Sequence, residues 1–406
     1  MSAGCQTRSA INAMIRVGQD AAAGFVPDHQ APSASVIATK WPIFAFVPLP
    51  WNQRDPRVEG NVNAALVRGI ARRRPSPHNL SVFATLLGAL PQPTVDGGDA
   101  AVDPVVAAIR AQEPAGLEPV TDGRLRDPGF DRLVGLLLRP DGVDDAVTVV
   151  LDGWRVLAGA TERATKQALP GPYSVGFRVG GSKRAREART LGVAEALGEI
   201  VAALAEAGCP LVEVEESAVH RLAGASEHHL FSEAHRRLTG PGTGSQDGGA
   251  RNASIHRSLS IVGGSVPQGA IEAVLEAPYA SIAVDLIAGP DNWYVVRRAS
   301  RERGIIAGVQ SAGDVDESKE VMLWGAHYAA SSGGRGSDRV GIGSAGSWAN
   351  LSWEAALRKL NRLGEAARLA SMPLSEELAQ SLDPRAVSSR RAAVGHGPRP
   401  QSGKRS

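Results

Sequence analysis

The chain has very little cysteine and no long apolar run, and each scarcity excludes a class of protein. Cys5 and Cys209 are the two cysteines among 406 residues, which excludes a disulfide framework and a thiolate-rich metal site. This cysteine usage fits a reduced, cytoplasmic setting. No stretch of about 18 apolar residues occurs, so we expect no transmembrane helix. The first residues lack the apolar core of a signal peptide, so we expect none.

Net charge is also scarce. The 44 basic and 42 acidic residues leave a formal charge of +2. This balance gives no electrostatic reason to expect nucleic acid or a membrane surface as a partner. The apolar fraction of 43% allows a substantial core. A small-molecule substrate is therefore the partner we expect, and the oligomeric state cannot be read from the sequence.

The two ends of the chain differ in composition from the middle. Residues 1–79 lack sustained periodicity, and they predict a largely disordered N-terminal extension. Residues 386–406 are basic and rich in Gly and Pro, and they predict a disordered tail. We expect a single folded domain over residues 80–385.

Strand-like and helix-like patterns alternate along that domain. Helices are predicted over Ala101–Gln112, Arg184–Ala207 and Trp353–Leu369. About eight strands separated by helices are typical of α/β proteins and favour a (β/α)8 TIM barrel, with an open doubly wound sheet as the alternative. The predicted strands are Leu80–Leu87, Leu117–Thr121, Ala146–Leu151, Thr165–Leu169, Pro210–Glu215, Ser258–Val262, Ser281–Leu286, Gly304–Ala307 and Arg339–Ile342.

The strand at Pro210–Glu215 ends in a group of carboxylates. Strand alternation places Glu213 and Glu215 on one face and Glu216 on the other. Charges are costly in a packed core, so carboxylates at a strand end indicate a site. The alternative is a strand that simply runs into solvent.

A second polar strand end follows Leu117–Thr121. Asp122 stands directly after this strand, and Arg126 lies four residues further on. An aspartate and an arginine at this position can hold a polar ligand at the mouth of a barrel. The alternative is a plain turn, because Asp-Gly is a strong turn signal.

A glycine-rich turn, Gly341–Gly346, matches the pattern G-x-G-x-x-G after a strand and before a helix. That context normally favours dinucleotide binding. Here no further strand with an acidic end follows, so the turn is better explained as the last strand-to-helix connection of a barrel. Such a turn could receive an anion.

Histidines are candidates for metal binding or acid–base chemistry. His256, Asp285 and Glu216 fall on neighbouring predicted strands and could form such a group. The alternative is a structural His256. We expect His228, His229 and His235 on a solvated helix face, and we expect Gly240–Gly249 to be a mobile loop or a lid.

Taken in order, these motifs resemble the C-terminal catalytic barrel of cobalamin-independent methionine synthase over residues 80–385. Gly88-Ala89-Leu90-Pro91-Gln92 is similar to the family's first strand end, with Ala89 at a serine that binds the amino acid substrate. The similarity continues through Asp103–Arg126, Leu169–Tyr173 and Glu213–Ala218.

The resemblance implies a zinc ion that binds homocysteine as a thiolate, with methyltetrahydrofolate as methyl donor. Ser258 and Ser260 stand at the family's His and Cys ligand positions, while a shifted register keeps His256 as a ligand. Asp285 falls near the Glu ligand, and Val340 falls at the second cysteine. Because both thiolates are missing, zinc affinity should fall sharply, and another metal or none is expected.

The function that the resemblance implies is that of a diverged methyltransferase acting on a small amino acid or thiol at the C-terminal strand ends. Glu215 and Glu216 would bind a substrate ammonium, and Asp122 and Arg126 would shape the site. Gly88, Ala89, Ser258, Ser260 and Asp285 would line it. A metal-free lyase or decarboxylase, like the uroporphyrinogen decarboxylase relatives, and a binding protein without catalysis are the alternatives.

Overall fold

The computed structural model describes residues 82–94, 103–240 and 255–372. The proposed disordered extension and tail, and all but the first residue of the Gly240–Gly249 loop, lie outside the described residues. No helix in the described part is long and apolar enough to cross a membrane.

The described residues form one parallel sheet of seven strands in the order β1-β7-β6-β5-β4-β3-β2. Every neighbouring pair is parallel, as expected for strands joined by helical crossovers. The strands are β1 (Val82–Thr85), β2 (Lys166–Pro170), β3 (Leu211–Glu216), β4 (His256–Ile261), β5 (Ser281–Asp285), β6 (Gly304–Gln310) and β7 (Val340–Ser344).

Ten α-helices accompany these strands in the described part of the chain. They are α1 (Pro104–Ala115), α2 (Asp131–Leu137), α3 (Val143–Gly159), α4 (Pro172–Val179), α5 (Lys183–Glu206), α6 (Ala225–Thr239), α7 (Ile271–Glu276), α8 (Trp293–Arg298), α9 (Lys319–Ser331) and α10 (Trp353–Ala370).

The two edge strands, β1 and β2, both contact one short segment between α1 and α2. The amide of Glu118 donates a hydrogen bond of 2.9 Å to the carbonyl of Ala84, and Val120 forms a parallel bridge with Thr165. Because one segment reaches both edges, the sheet must curl until these edges lie close together. Pro119 has no N–H to donate, which limits the ladder at this position.

The fold prediction is therefore confirmed in its coarse form. The protein is α/β with a curled parallel sheet. In the open doubly wound alternative, no single segment would contact both edge strands. The eight complete strands of a (β/α)8 barrel are not present in the described residues, because Leu117–Thr121 forms a single bridge.

The strand predicted at Ala146–Leu151 is wrong, because these residues lie inside helix α3. The buried residues of this helix are Ala146, Val150, Trp154 and Leu157, a spacing of three and four residues. The run of Val and Thr in its first half is typical of a strand, but the burial of one face at helical spacing stabilises a helix here. Apart from Leu117–Thr121, which forms only the single bridge, the other predicted strands and the three predicted helices overlap observed elements of the same type.

The two faces of the sheet differ in chemistry. The outer face carries buried aliphatic side chains such as Val212, Val214 and Ile282, which the helices cover. The inner face has an apolar part, formed by Phe83, Leu87, Ala283 and Ile306, and a polar part on β2, β3 and β4.

Helix α10 holds the β1 edge against the rest of the domain. Its N-cap Ser352 accepts a hydrogen bond from the amide of Ala355, and Ser371 just after its end exchanges hydrogen bonds with the backbone of Val82. The helix also packs on α1 at Gly364, where an added methyl group would lie 1.6 Å from the carbonyl oxygen of Ala115.

This close approach predicts that Gly364→Ala destabilises the protein, because the new methyl group must push α1 and α10 apart. We expect the free energy of unfolding to fall by about 3 kcal/mol, measured by denaturant titration. Gly153→Ala is the matched control, since nothing lies within 4 Å of the added methyl group in α3. The control should gain up to about 1 kcal/mol. Equal effects of the two changes would contradict the packing argument.

Candidate functional site

The polar part of the inner face lies on three neighbouring strands. Glu213 is paired with Ser258 and Glu215 with Ser260 across β3 and β4. Paired residues on parallel neighbours point to the same face and lie about 4.8 Å apart. The predicted placement of Glu213 and Glu215 on one face and Glu216 on the other agrees with this register.

Lys166 and Glu213 form a fully buried ion pair on this face. The ammonium of Lys166 lies 2.9 Å from Oε2 of Glu213, and it donates a hydrogen bond of 2.7 Å to the carbonyl of Leu86. Both side chains are almost completely inaccessible, at 2% and 1% exposed. Burial raises the pKa of the Glu213 carboxyl, and the ammonium of Lys166 opposes this rise. The lysine is thus held by two acceptors, one of which lies just beyond β1.

Glu215 is paired with Arg124, a residue that the sequence reasoning did not select. Nη1 of Arg124 lies 3.1 Å from Oε1 of Glu215, and the guanidinium stacks 4.3 Å over the ring of Phe130. Arg124 belongs to the Thr-Asp-Gly-Arg turn that follows the Leu117–Thr121 segment. Its φ of +50° turns the chain sharply at this residue. The motif contains the signal for this contact, which Arg124 makes and Arg126 does not.

Several polar atoms near these pairs have no hydrogen-bond partner among the residues that the structure describes. They are the hydroxyls of Ser258 and Ser260, Oε2 of Glu215 and Nε of Arg124. Both serines are completely buried. An unpaired buried polar group costs about 1–3 kcal/mol, so such atoms usually meet water or a ligand. Their concentration beside Glu215 defines the candidate site.

Asp122 and Arg126 do not join this site. Oδ1 of Asp122 accepts a hydrogen bond from the amide of Arg124, as in an Asx turn. Burial raises the pKa of Asp122, although Arg124 and Arg126 oppose the rise. Arg126 points outwards and pairs with Asp103, the N-cap of α1, and both side chains are more than 40% exposed. The alternative interpretation of this segment as a plain turn therefore agrees with the contacts of Asp122 and Arg126.

Glu216 lies on the outer face, apart from Glu215. Its carboxylate accepts hydrogen bonds from the amides of Tyr173 and Ser174 at the start of α4, and it lies 3.1 Å from Nε2 of His235. The other ring nitrogen of His235 lies 2.7 Å from the hydroxyl of Tyr279. The prediction that His235 lies on a solvated face is wrong, because this side chain is fully buried in α6.

His256 and Asp285 lie at opposite ends of the sheet. His256 begins β4, and Nε2 of its ring lies 2.8 Å from Oγ of Ser281. Asp285 ends β5, six residues further along the register and thus about 20 Å away. Its carboxylate accepts hydrogen bonds from the amides of Ile287 and Ala288. The expected group of His256, Asp285 and Glu216 therefore does not form.

The donors present do not fit zinc. Among the residues that the structure describes, no group of three or more His, Cys, Asp or Glu side chains could hold a metal ion. Ser258 and Ser260 offer neutral hydroxyls, which bind zinc poorly. Cys209 precedes β3 at the amino end of the sheet, and burial raises the pKa of its thiol to about 12.

Gly88 and Ala89 lie where β1 meets the glycine-rich turn after β7. Gly88 has a φ of +86°, and an added methyl group would lie 2.6 Å from the backbone of Ser347. The carbonyl of Ala89 accepts a hydrogen bond from the amide of Trp348. Within the G-x-G-x-x-G pattern, a methyl group at Gly341 would lie 2.4 Å from the Phe83 ring. Close packing between β1 and this turn therefore explains Gly88 and Gly341 without a dinucleotide.

Comparisons with known proteins bear on the fold. No protein-family model and no curated protein sequence matches the chain. A solved structure of a B12-independent methionine synthase from Shewanella sp. W3-18-1, in complex with selenomethionine, is similar with a TM-score of 0.52 and 15% identity. The match covers 78% of this chain and 99% of that one.

Two further solved structures are similar. A putative vitamin-B12 independent methionine synthase from Listeria monocytogenes matches with a TM-score of 0.51 and 14% identity, over 73% of this chain and 98% of that one. A methyltransferase from Methanosarcina mazei matches with a TM-score of 0.52 and 12% identity, over 75% of this chain and 98% of that one. At these identities the likeness shows a shared fold.

The buried ion pair predicts that Lys166→Met destabilises the protein strongly, because the carboxylate of Glu213 is left without its cation. We expect a loss of about 3–5 kcal/mol in the free energy of unfolding. The double variant Lys166→Met/Glu213→Leu removes both charges and should recover a large part of this loss. Denaturant titration of wild type, both single variants and the double variant tests the pairing. A double variant as unstable as Lys166→Met would contradict it.

The buried histidine predicts a pH dependence of stability. Burial lowers the pKa of His256 to about 4 from an ordinary value of 6.5. Between these values the unfolded chain binds a proton that the folded protein does not, so this contribution to stability is lost as the pH falls from 6.5 towards 4.

Between pH 7 and pH 5 the expected loss from this residue is about 2 kcal/mol. His256→Gln removes the titrating ring and retains a group that can hydrogen-bond to Ser281. Its free energy of unfolding should therefore fall less over the same interval than that of wild type. Parallel pH profiles for the two proteins would overturn the prediction.

Proposed function

We propose that this protein is a diverged, methionine synthase-like methyltransferase that acts on a small polar substrate, of the amino acid or thiol class, at the carboxyl ends of β3 and β4. The observation that carries the proposal is the Arg124–Glu215 pair, which lies at a strand end of the shared fold beside unpartnered buried polar atoms. Ligand sites of parallel α/β folds lie at this end of the strands. The segment Leu117–Thr121 would be the second strand of the complete barrel.

The proteins that share this fold support the reaction class. Two of the similar structures are methionine synthases and the third is a methyltransferase. The sequence resemblance adds methyltetrahydrofolate as the expected methyl donor. The residues of this chain would bind and orient the acceptor: Glu215 offers one carboxylate oxygen to a substrate ammonium, and Arg124 holds the other oxygen in place.

A metal-free lyase or decarboxylase is the second candidate. It is favoured by the poor fit of the described residues to zinc. In this reaction the substrate would lose carbon dioxide or another group, and no methyl donor would be consumed.

Glu215→Gln tests the assignment of the site. Purified protein would be incubated with methyltetrahydrofolate and a panel of amino acid and thiol acceptors, and methylated products would be measured by mass spectrometry. The variant should lose at least about tenfold in kcat/KM, since the anchor for the substrate ammonium and the charge partner of Arg124 both disappear.

Glu195→Gln is the matched control, because Glu195 lies in α5 and is 56% exposed. It should retain wild-type activity. Product formation that does not need the methyl donor would move the assignment to the lyase reading. Binding of an acceptor without any turnover would favour the non-catalytic reading.

A further inference from the structure

We propose that the group bound beside Ser258, Ser260 and Glu215 is an uncharged hydroxyl or amide, held without a metal ion, and not a thiolate. This inference rests on the proposed function, because it describes the substrate of the same site. It identifies the substrate class as small amino acids whose side chain ends in a hydroxyl or a carboxamide.

The first step in the argument is the hydrogen-bonding capacity of the two serines. Each hydroxyl can donate one hydrogen bond and accept two, and neither has a partner within the described part of the chain. The two residues are two positions apart on the same face of β4, so their side chains are about 7 Å apart. A ligand group between them would meet both a donor and an acceptor. A hydroxyl or an amide satisfies both, while a thiolate can only accept.

The second step concerns charge. Lys166 is held by Glu213 and the carbonyl of Leu86, and Arg124 is held by Glu215. The charges of these four side chains therefore cancel in pairs. A thiolate placed here would lie close to Glu215 with no cation assigned to it, and burying an unpaired charge is costly. An uncharged group avoids this cost.

The third step concerns shape. Ser260 on β4 is paired with Ala283 on β5, and the small side chain of Ala283 belongs to the apolar part of the inner face. A ligand between Glu215 and Ala283 would thus have a polar side towards β3 and β4 and an apolar side towards β5. A short aliphatic chain with a terminal hydroxyl or amide matches both surfaces.

A fourth observation agrees with a polar, uncharged ligand. Gln310, at the carboxyl end of β6, is fully buried, and its amide oxygen and amide nitrogen both lack a partner in residues 82–94, 103–240 and 255–372. An amide recognises donors and acceptors equally well and carries no charge. The unpartnered atoms at this end of the sheet thus include two hydroxyls and one amide.

The test compares two probes that differ in one atom, L-homoserine and L-homocysteine, by isothermal titration calorimetry on the full chain. We expect L-homoserine to bind at least about tenfold more tightly, because the site is built to hydrogen-bond an oxygen. The affinity should be unchanged between buffer with EDTA and buffer with added zinc.

Ser260→Ala should weaken L-homoserine about fivefold, which corresponds to one hydrogen bond, and should leave the weak affinity for L-homocysteine almost unchanged. Ser258→Ala provides a second, independent removal of a hydroxyl if the first variant folds poorly. Ser332→Ala is the matched control, since this hydroxyl bonds to Tyr328 at the end of α9, and it should bind like wild type.

Tighter binding of L-homocysteine, or binding that requires zinc, would overturn the inference and leave the proposed function standing. Failure of both probes to bind, with methyl transfer to another acceptor, would also overturn it and keep the methyltransferase. Failure of both probes together with an absence of methyl transfer to every acceptor would overturn the proposed function itself.

Discussion

The hydrogen bonds of one buried lysine connect the two edges of the sheet. Lys166 begins the edge strand β2, and its ammonium reaches the carbonyl of Leu86, just beyond the other edge strand, β1. The same ammonium binds Glu213 on β3. A charge in this position is tolerated only when it is fully paired, so the curl of the sheet and the pairing depend on each other. The polar half of the inner face follows from this constraint.

Charge pairing also decides how the carboxylates of β3 are used. Glu213 neutralises Lys166, and Glu215 neutralises Arg124 while keeping one oxygen free. Glu216, on the outer face, binds the amides at the start of α4 and approaches His235. Glu213 thus neutralises a buried charge, Glu215 belongs to the candidate site, and Glu216 contributes to the packing of the helices. The candidate site that results offers hydroxyls and one carboxylate oxygen. These groups suit a hydrogen-bonding ligand better than they suit a metal ion.

The sequence predicted most of the strands and three of the helices, because burial repeats every two or about 3.6 residues leave a local signal. The signal failed at Ala146–Leu151, where a β-branched run lies in a helix, and at Leu117–Thr121, where Pro119 limits the ladder. It also failed at His235, since whether a helix face is covered depends on distant elements. In the candidate site it selected Glu215, Ser258 and Ser260, which lie together, and Arg126, whereas Arg124 makes the contact with Glu215.

The sequence by itself determined the alternation of strands and helices, and with it the parallel sheet that has Glu213 and Glu215 on one face and Glu216 on the other. These features depend on neighbours a few residues apart. Only the tertiary structure decided which charges meet, because Lys166 and Glu213 are 47 positions apart and Arg124 and Glu215 are 91 positions apart. It likewise separated His256 from Asp285, since the register between strands, and not the order of motifs, sets the height of each side chain.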